Sequence, residues 1–298
     1  MTIKTSFRII SLIIFSCALS ACSGLMFYPD TPLVRTPETL GLAYQDIVLE
    51  AADGLKIHGW FLPAQGDLKG SVYFLHGNAE NISTHVQNIA WLPQYGYQVF
   101  LIDYRGFGRS DGSPCLPDVF LDVEAGFDWL LEHADNKPVF LVGQSMGASL
   151  GIYFAATNPK ARRNLAGVVS DSAFSSYFEI VRHVAASNWL TWPFQYPAAA
   201  LMDYPYNPVD VIADIAPVPL LLSHGLKDPV VPFSHGRELY QAAKQPKLMV
   251  LSETGHNETF RLQQNRMNVL DFLRQHSLTQ HAQPQSVVNP EAGPWQKQ

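Results

Sequence analysis

Pro138-Val139-Phe140-Leu141-Val142-Gly143-Gln144-Ser145-Met146-Gly147-Ala148-Ser149-Leu150 is the stretch whose reading decides the fold. An apolar run, Pro138 to Val142, leads into Gly-x-Ser-x-Gly, and a helical pattern, Met146 to Thr157, leads out. Gly-x-Ser-x-Gly alone is common. Between a strand and a helix it makes a nucleophile elbow, a strained turn that lifts a serine hydroxyl at the carboxyl edge of a sheet. Gly143 and Gly147 carry no side chains, so strand and helix can close around Ser145. The alternative is a buried turn with an inert serine, and the partners found farther along the chain argue against it.

Outward from the elbow, short apolar runs alternate with helical patterns. The runs are 71–75, 98–103, 138–142, 167–170, 219–223 and 247–251, and the helical patterns are Ile82 to Tyr95, Pro117 to His133, Met146 to Thr157, His235 to Lys244 and Asn257 to His276. Strands buried on both faces by crossover helices read this way. Asp46 to Glu50 and Leu55 to Leu62, around an Asp53-Gly54 turn, predict an antiparallel pair at one edge. The expectation is an α/β fold with a mostly parallel, doubly wound sheet of about eight strands. Residues 42–278 form its single domain. The connection 172–215 is too long for an ordinary crossover. It carries Trp189, Trp192, Phe194, Tyr196, Tyr204 and Tyr206 among four prolines, and predicts a small helical lid, with an ordinary helix reached irregularly as the alternative.

A serine hydroxyl needs a base. His256, in Glu253-Thr254-Gly255-His256-Asn257, follows the last predicted strand, and among ten histidines its place in the chain singles it out. Asp228, in His224-Gly225-Leu226-Lys227-Asp228-Pro229, follows the strand before. The order Ser, acid, His is that of hydrolases built on such an elbow. Asp171, at the end of the preceding strand, is the rival acid. The oxyanion of acyl transfer needs fixed donors. The backbone N–H of Met146 is one, and that of Asn78, in His76-Gly77-Asn78-Ala79, is the other. His76 is read as packing beneath its loop rather than reacting. Arg105, in Asp103-Tyr104-Arg105-Gly106-Phe107-Gly108, is read as bracing loops through an ion pair rather than binding an anion.

The 298 residues hold 47% hydrophobic and 15% charged residues, which suits a domain with a large buried core and argues against a disordered chain. The net charge is −6, without a basic cluster, which argues against nucleic acid as a partner. Lys4 and Arg8, the apolar run Ile9 to Leu19 and Leu19-Ser20-Ala21-Cys22 resemble a bacterial lipoprotein signal, residues 1–21, with lipidation at Cys22. An ordinary signal peptide or an uncleaved anchor is the alternative. Ser23 leans the expectation toward the outer membrane of a bacterial envelope. Residues 22–41 would then be a tether or a strap over the domain surface, and 279–298 a disordered tail. Cys17 leaves with the signal and Cys22 is acylated, so Cys115 remains alone and no intrachain disulfide is expected.

Taken together, these motifs resemble the α/β-hydrolase superfamily, and within it the serine-aminopeptidase-like or lysophospholipase-like branch that includes bud-emergence-like hydrolases and bacterial hydrolase lipoproteins. The resemblance runs from about Phe27 to Leu273 and also rests on Phe27-Tyr28-Pro29 and Asp53-Gly54-Leu55-Lys56-Ile57-His58-Gly59-Trp60. It implies a serine hydrolase with Ser145, Asp228 and His256 as its triad and no cofactor or metal. It would act on a small carboxylic ester or thioester, acyl or lysolipid-like. A peptidase or amidase on the same triad, or a non-catalytic envelope lipoprotein, are the other readings. Oligomeric state is not legible.

Overall fold

Five six- or seven-residue segments of this chain bury every residue, and they form the centre of the sheet. The computed structural model describes residues 26–202 and 204–280, with the side chains of 278–280 left aside. Its main sheet has eight strands: β1 Gln45–Glu50, β2 Lys56–Leu62, β3 Gly70–Leu75, β4 Tyr97–Ile102, β5 Val139–Gln144, β6 Leu165–Asp171, β7 Leu220–Gly225 and β8 Lys247–Ser252. The order across the sheet is β8-β7-β6-β5-β3-β4-β2-β1. β1 and β2 pair antiparallel, β2 pairs antiparallel with β4, and every other pairing is parallel. β3, β4, β5, β6 and β7 are buried throughout, while β1 alternates as an edge strand does. The hairpin turns at the expected place, where Gly54 N–H donates to the Ala51 carbonyl (2.8 Å).

Alternation within the buried strands divides the core in two. Tyr73, Leu75, Phe100 and Leu141 face one side, and Val72, Phe74, Leu101 and Phe140 face the other. The first face is covered by α1 (Val119–Glu132) and α2 (Met146–Thr157). α1 buries Val119, Asp122, Val123, Gly126, Phe127 and Leu130, the spacing of one helical stripe. A Cβ at Gly126 would collide with the Tyr73 hydroxyl, which donates to the Val123 carbonyl (3.0 Å). Next in the chain come α3 (Pro159–Asn164), α4 (Tyr177–Ala186), α5 (Gln195–Leu201), α6 (Phe233–Ala242) and α7 (Gln263–Gln280). α7 brings Val269, Leu270 and Leu273 to the second face.

Two expected helices differ. Residues 82–95 do not form one helix: a single turn at Ile82–His85 passes into 3-10 turns at Val86–Asn88 and Pro93–Tyr95. The Trp91 indole donates to the Asn88 carbonyl (2.7 Å), which a continuing α-helix would offer to Leu92, and Pro93 has no N–H to continue the ladder. The last helix begins at Gln263, not Asn257, because Asn257 sits at φ 58° and Thr259–Arg261 is a 3-10 turn. That helix reaches Gln280, two residues past the expected end of the domain.

Residues 26–34 lie as a strap. Tyr28–Pro29 pairs in parallel with Ala79–Glu80, and Phe27 is buried edge-on to Phe107. Asn81 ties strap to domain: its amide donates to the carbonyls of Asp30 and Pro32 (2.9 Å each), while its Oδ1 accepts from the Ser83 N–H (3.0 Å). Between β6 and β7 the 172–215 segment carries α4, a 3-10 turn at Trp192–Phe194, α5 and two short turns, so its helices are inserted within one crossover. Among the described residues no helix is long and apolar enough to cross a membrane. The expected signal, the expected lipidation site Cys22 and residues 281–298 of the expected tail lie outside the described residues.

Candidate active site

Because β3, β5, β6, β7 and β8 run parallel, the loops after them open at one edge of the sheet. Ser145 leaves β5, Asp228 follows β7 by three residues, and His256 follows β8 by four. The elbow holds Ser145 at φ 53°, ψ −121°, where a non-glycine residue is strained by about 1–3 kcal/mol. Its N–H donates to the Asp171 carbonyl (2.8 Å), and its own carbonyl accepts from Ala148 and Ser149 at the start of α2. A Cβ on Gly147 would collide with the carbonyl oxygens of Leu75 and His76, and one on Gly143 would lie 2.6 Å from the Ala148 Cα. Both glycines are therefore required by close approach of backbone.

The loops after β7 and β8 are zipped together. Leu226 N–H donates to Ser252 (2.7 Å) and Lys227 N–H to Thr254 (3.0 Å), and a Cβ on Gly225 would strike the Thr254 carbonyl. Asp228 Oδ1 accepts from the N–H groups of Val230 (2.9 Å) and Val231 (2.8 Å), leaving Oδ2 for His256 Nδ1 at 2.7 Å. His256 Nε2 is 3.0 Å from Ser145 Oγ. Hydroxyl, imidazole and carboxylate are thus joined in one line. Burial alone would raise the Asp228 carboxyl. The bonds from His256 and from the two backbone N–H groups outweigh it and hold the carboxyl below the usual carboxylate range.

Asp171 is not in this line. Its side chain is fully buried, its Oδ2 accepts from the Gln144 amide (2.9 Å), and burial pushes its carboxyl upward. Its contribution to the elbow is the carbonyl that anchors Ser145. Met146 is the first residue of α2, so the helix's own ladder leaves its N–H unused. Met146 and Asn78 line the same cavity as Ser145 and His256. Gly77 brings the β3 loop close: a Cβ there would lie 3.6 Å from the Ser145 Cβ. The Tyr28 N–H, pointing to both the carbonyl (3.4 Å) and Oδ1 (3.2 Å) of Asn78, ties the strap to this loop.

His76 lies against Tyr104 and His85 with Nδ1–H donating to the Gly77 carbonyl (2.7 Å); burial, with His85 adding, keeps it neutral, far below its ordinary pKa. Arg105 is buried with its three guanidinium nitrogens on Asp122 and Asp53, Nη2 2.7 Å from Asp122 Oδ1, and its backbone N–H also donates to Asp122. It ties the loop after β4 to α1 and to the β1–β2 hairpin, away from the cavity lining. Cys115, the one cysteine among the described residues, donates to Asp118 (3.1 Å). Burial, reinforced by that carboxylate, pushes the thiol up to about 11, which leaves it unreactive. Among the described residues no three His, Cys, Asp or Glu side chains are grouped to hold a metal ion.

The cavity over Ser145 has a volume of about 760 Å³. Phe174, Ile180, Val181, Val184 and Met202 of the 172–215 insertion line it opposite few polar groups, of which Glu80 is the one carboxylate. Residues to which the sequence assigned no catalytic role also reach it. Met26 and Tyr28 arrive through the strap, His85 from the broken helix, and Asn257 from its left-handed position beside His256. Asn81 followed by Ile82-Ser83 is a helix N-cap signal that would have marked the strap's anchor.

Residues 66–205 match the family described as "Serine aminopeptidase, S33". The protein YfhR of Escherichia coli O157:H7 is 32% identical over 240 residues, covering 78% of this chain and 79% of its own. "Alpha/beta hydrolase domain-containing protein WAV2" of Arabidopsis thaliana is 28% identical and covers 71% of each chain. Among solved structures, the Pyrococcus furiosus esterase Pf2001 superposes with a TM-score of 0.70 at 22% identity, covering 84% of this chain and 98% of the esterase.

Proposed function

The chain belongs to the α/β-hydrolase superfamily, in one family with the YfhR proteins, and from that premise we propose that it is a serine hydrolase cleaving carboxylic esters or thioesters with apolar acyl groups. The observation that carries the proposal is the unbroken line Ser145 Oγ, His256, Asp228, at 3.0 and 2.7 Å, beneath a largely apolar cavity. His256 Nε2 takes the Ser145 proton as Oγ attacks the carbonyl carbon. Asp228 Oδ2 accepts from Nδ1–H, fixing the tautomer and stabilising the imidazolium. The N–H groups of Met146 and Asn78 hold the oxyanion. On collapse the C–O or C–S bond breaks and His256 returns its proton to the leaving group. Water, deprotonated by His256, then attacks the acyl carbon, the bond to Ser145 Oγ breaks, and His256 returns the proton to Oγ.

The test is labelling of the full chain by a fluorophosphonate. Wild type is expected to label and Ser145→Ala not to, with ester turnover falling by roughly 10³-fold or more. A folded wild type that does not label would leave only the non-catalytic reading. A second reading has one specific support: Glu80, on the cavity lining, is placed to receive a peptide's terminal ammonium, and the matching family is described as an aminopeptidase. Turnover of aminoacyl amides without acyl esters would favour it. The reading also includes acylation of Cys22 and a place in the bacterial outer envelope. Incorporation of labelled palmitate, lost in Cys22→Ser, tests the first, and membrane fractionation tests the second.

A further inference from the structure

The described surface carries its exposed aromatic side chains in one place. Trp189, Trp192, Phe194 and Tyr196 are 85, 59, 64 and 61% exposed, and Tyr28 of the strap is the other exposed aromatic among the described residues. Leu190 and Leu201 are exposed beside them in sequence, at 64 and 54%. From Ser187 to Met202 the chain has no Asp, Glu, Lys, Arg or His. Single exposed apolar residues are ordinary, but a charge-free run with four aromatics turned outward is not. Tryptophan and tyrosine combine an apolar body with a polar tip and settle at the boundary between lipid tails and water.

Position favours lipid over another protein. The run is joined to the active-site cavity, since Val184, Ala185, Thr191 and Met202, from within or just before it, line that cavity. Met26 and Tyr28 line it too. Met26, the first described residue, therefore lies at the same cavity, and the segment that precedes it in sequence carries the apolar run Ile9 to Leu19. A membrane held by that segment would meet the 187–202 run and the cavity together.

We propose that residues 187–202 form an interfacial docking face that inserts Trp189, Trp192 and Phe194 among the headgroups and upper acyl chains of a lipid bilayer, setting the cavity on the membrane surface so that a membrane-borne acyl ester enters without crossing water. This goes beyond the hydrolase reading and does not require it, because docking is read from the indoles rather than from turnover. It also holds whether Cys22 is acylated or not.

The experiment uses the full chain on phosphatidylethanolamine–phosphatidylglycerol vesicles and subtracts the emission of Trp189→Phe/Trp192→Phe from that of wild type. The two indoles are expected to shift to the blue, to lose quenching by aqueous acrylamide, and to be quenched by lipids brominated near the headgroup end of the chain. Trp189→Ser/Trp192→Ser/Phe194→Ser, made in a Cys22→Ser chain, should partition onto vesicles roughly tenfold or more weakly. It should keep fluorophosphonate labelling and turnover of a water-soluble ester, and lose turnover of the vesicle-borne one. Indoles equally open to acrylamide with and without vesicles, and untouched by brominated lipid, would overturn the proposal. So would shielding that appears without vesicles and grows with protein concentration, which would assign the face to a second copy of the chain. Loss of labelling with docking intact would instead count against the hydrolase reading alone.

Discussion

At the scale of single residues, two aspartates of similar place in the sequence have opposite surroundings. Asp228 presents Oδ2 to His256 and satisfies Oδ1 with two backbone N–H groups, whereas Asp171 is sealed under the elbow against Gln144. Asp228→Asn should therefore leave the fold intact and lower kcat by about 10⁴-fold, since an amide selects the wrong imidazole tautomer. Asp171→Asn should keep most of the turnover, as measured on the same ester. His76 makes a pH prediction. Its pKa is lower folded than unfolded, so the unfolded chain takes up a proton that the folded one refuses. The stability it supplies is complete above about pH 6.5 and is lost as pH falls toward its folded value. His58 has the opposite sign. Burial disfavours its charge, but Asp103 and Asp46 outweigh burial and raise its pKa, so its contribution is complete below about 6.5 and fades as pH rises. Urea midpoints measured from pH 7 to pH 5 should fall less steeply in His76→Phe than in wild type.

At the scale of elements, the site is an agreement between strand ends and glycines. Ser145 is aimed because β5 and α2 meet without side chains at Gly143 and Gly147, and because β3 passes its carbonyls directly under Gly147. Gly147→Ala must push Leu75 and His76 aside, and those residues lead into the Gly77-Asn78 loop. It should destabilise the domain by about 1–3 kcal/mol in denaturant titrations and lower kcat more than KM changes. Strand positions and the α2 limits were legible from apolar runs and their flanking glycines. The break in 82–95 was only partly legible: Pro93 is a breaker within the run, but the bond from Trp91 to the Asn88 backbone is one no periodicity records.

At the scale of the whole molecule, distant segments converge through a few buried polar joints. Arg105 links the loop after β4 to α1 and to the β1–β2 turn, with Asp122 fully buried beneath it. Arg105→Leu leaves that carboxylate without its partner, which costs about 3–5 kcal/mol in unfolding experiments. Arg105→Leu/Asp122→Leu should recover much of the loss, because the unpaired charge goes with its partner. Ester turnover measured in the folded fraction should change little in either, since neither side chain lines the cavity.

By itself the sequence determined the fold class and which serine, histidine and carboxylate to compare, because each is announced by its neighbours. Apolar runs announce strands, Gly-x-Ser-x-Gly requires a tight turn, and loops after parallel strands share one edge. Only the tertiary structure decided what Asp171, the rival acid, bonds instead, that the strap from Met26 helps wall the cavity, and that the aromatics of 187–202 face outward beside it. Those facts depend on contacts between segments tens to hundreds of residues apart. Local pattern carries no term for such contacts: it states what a residue can do, and packing alone states what stands next to it.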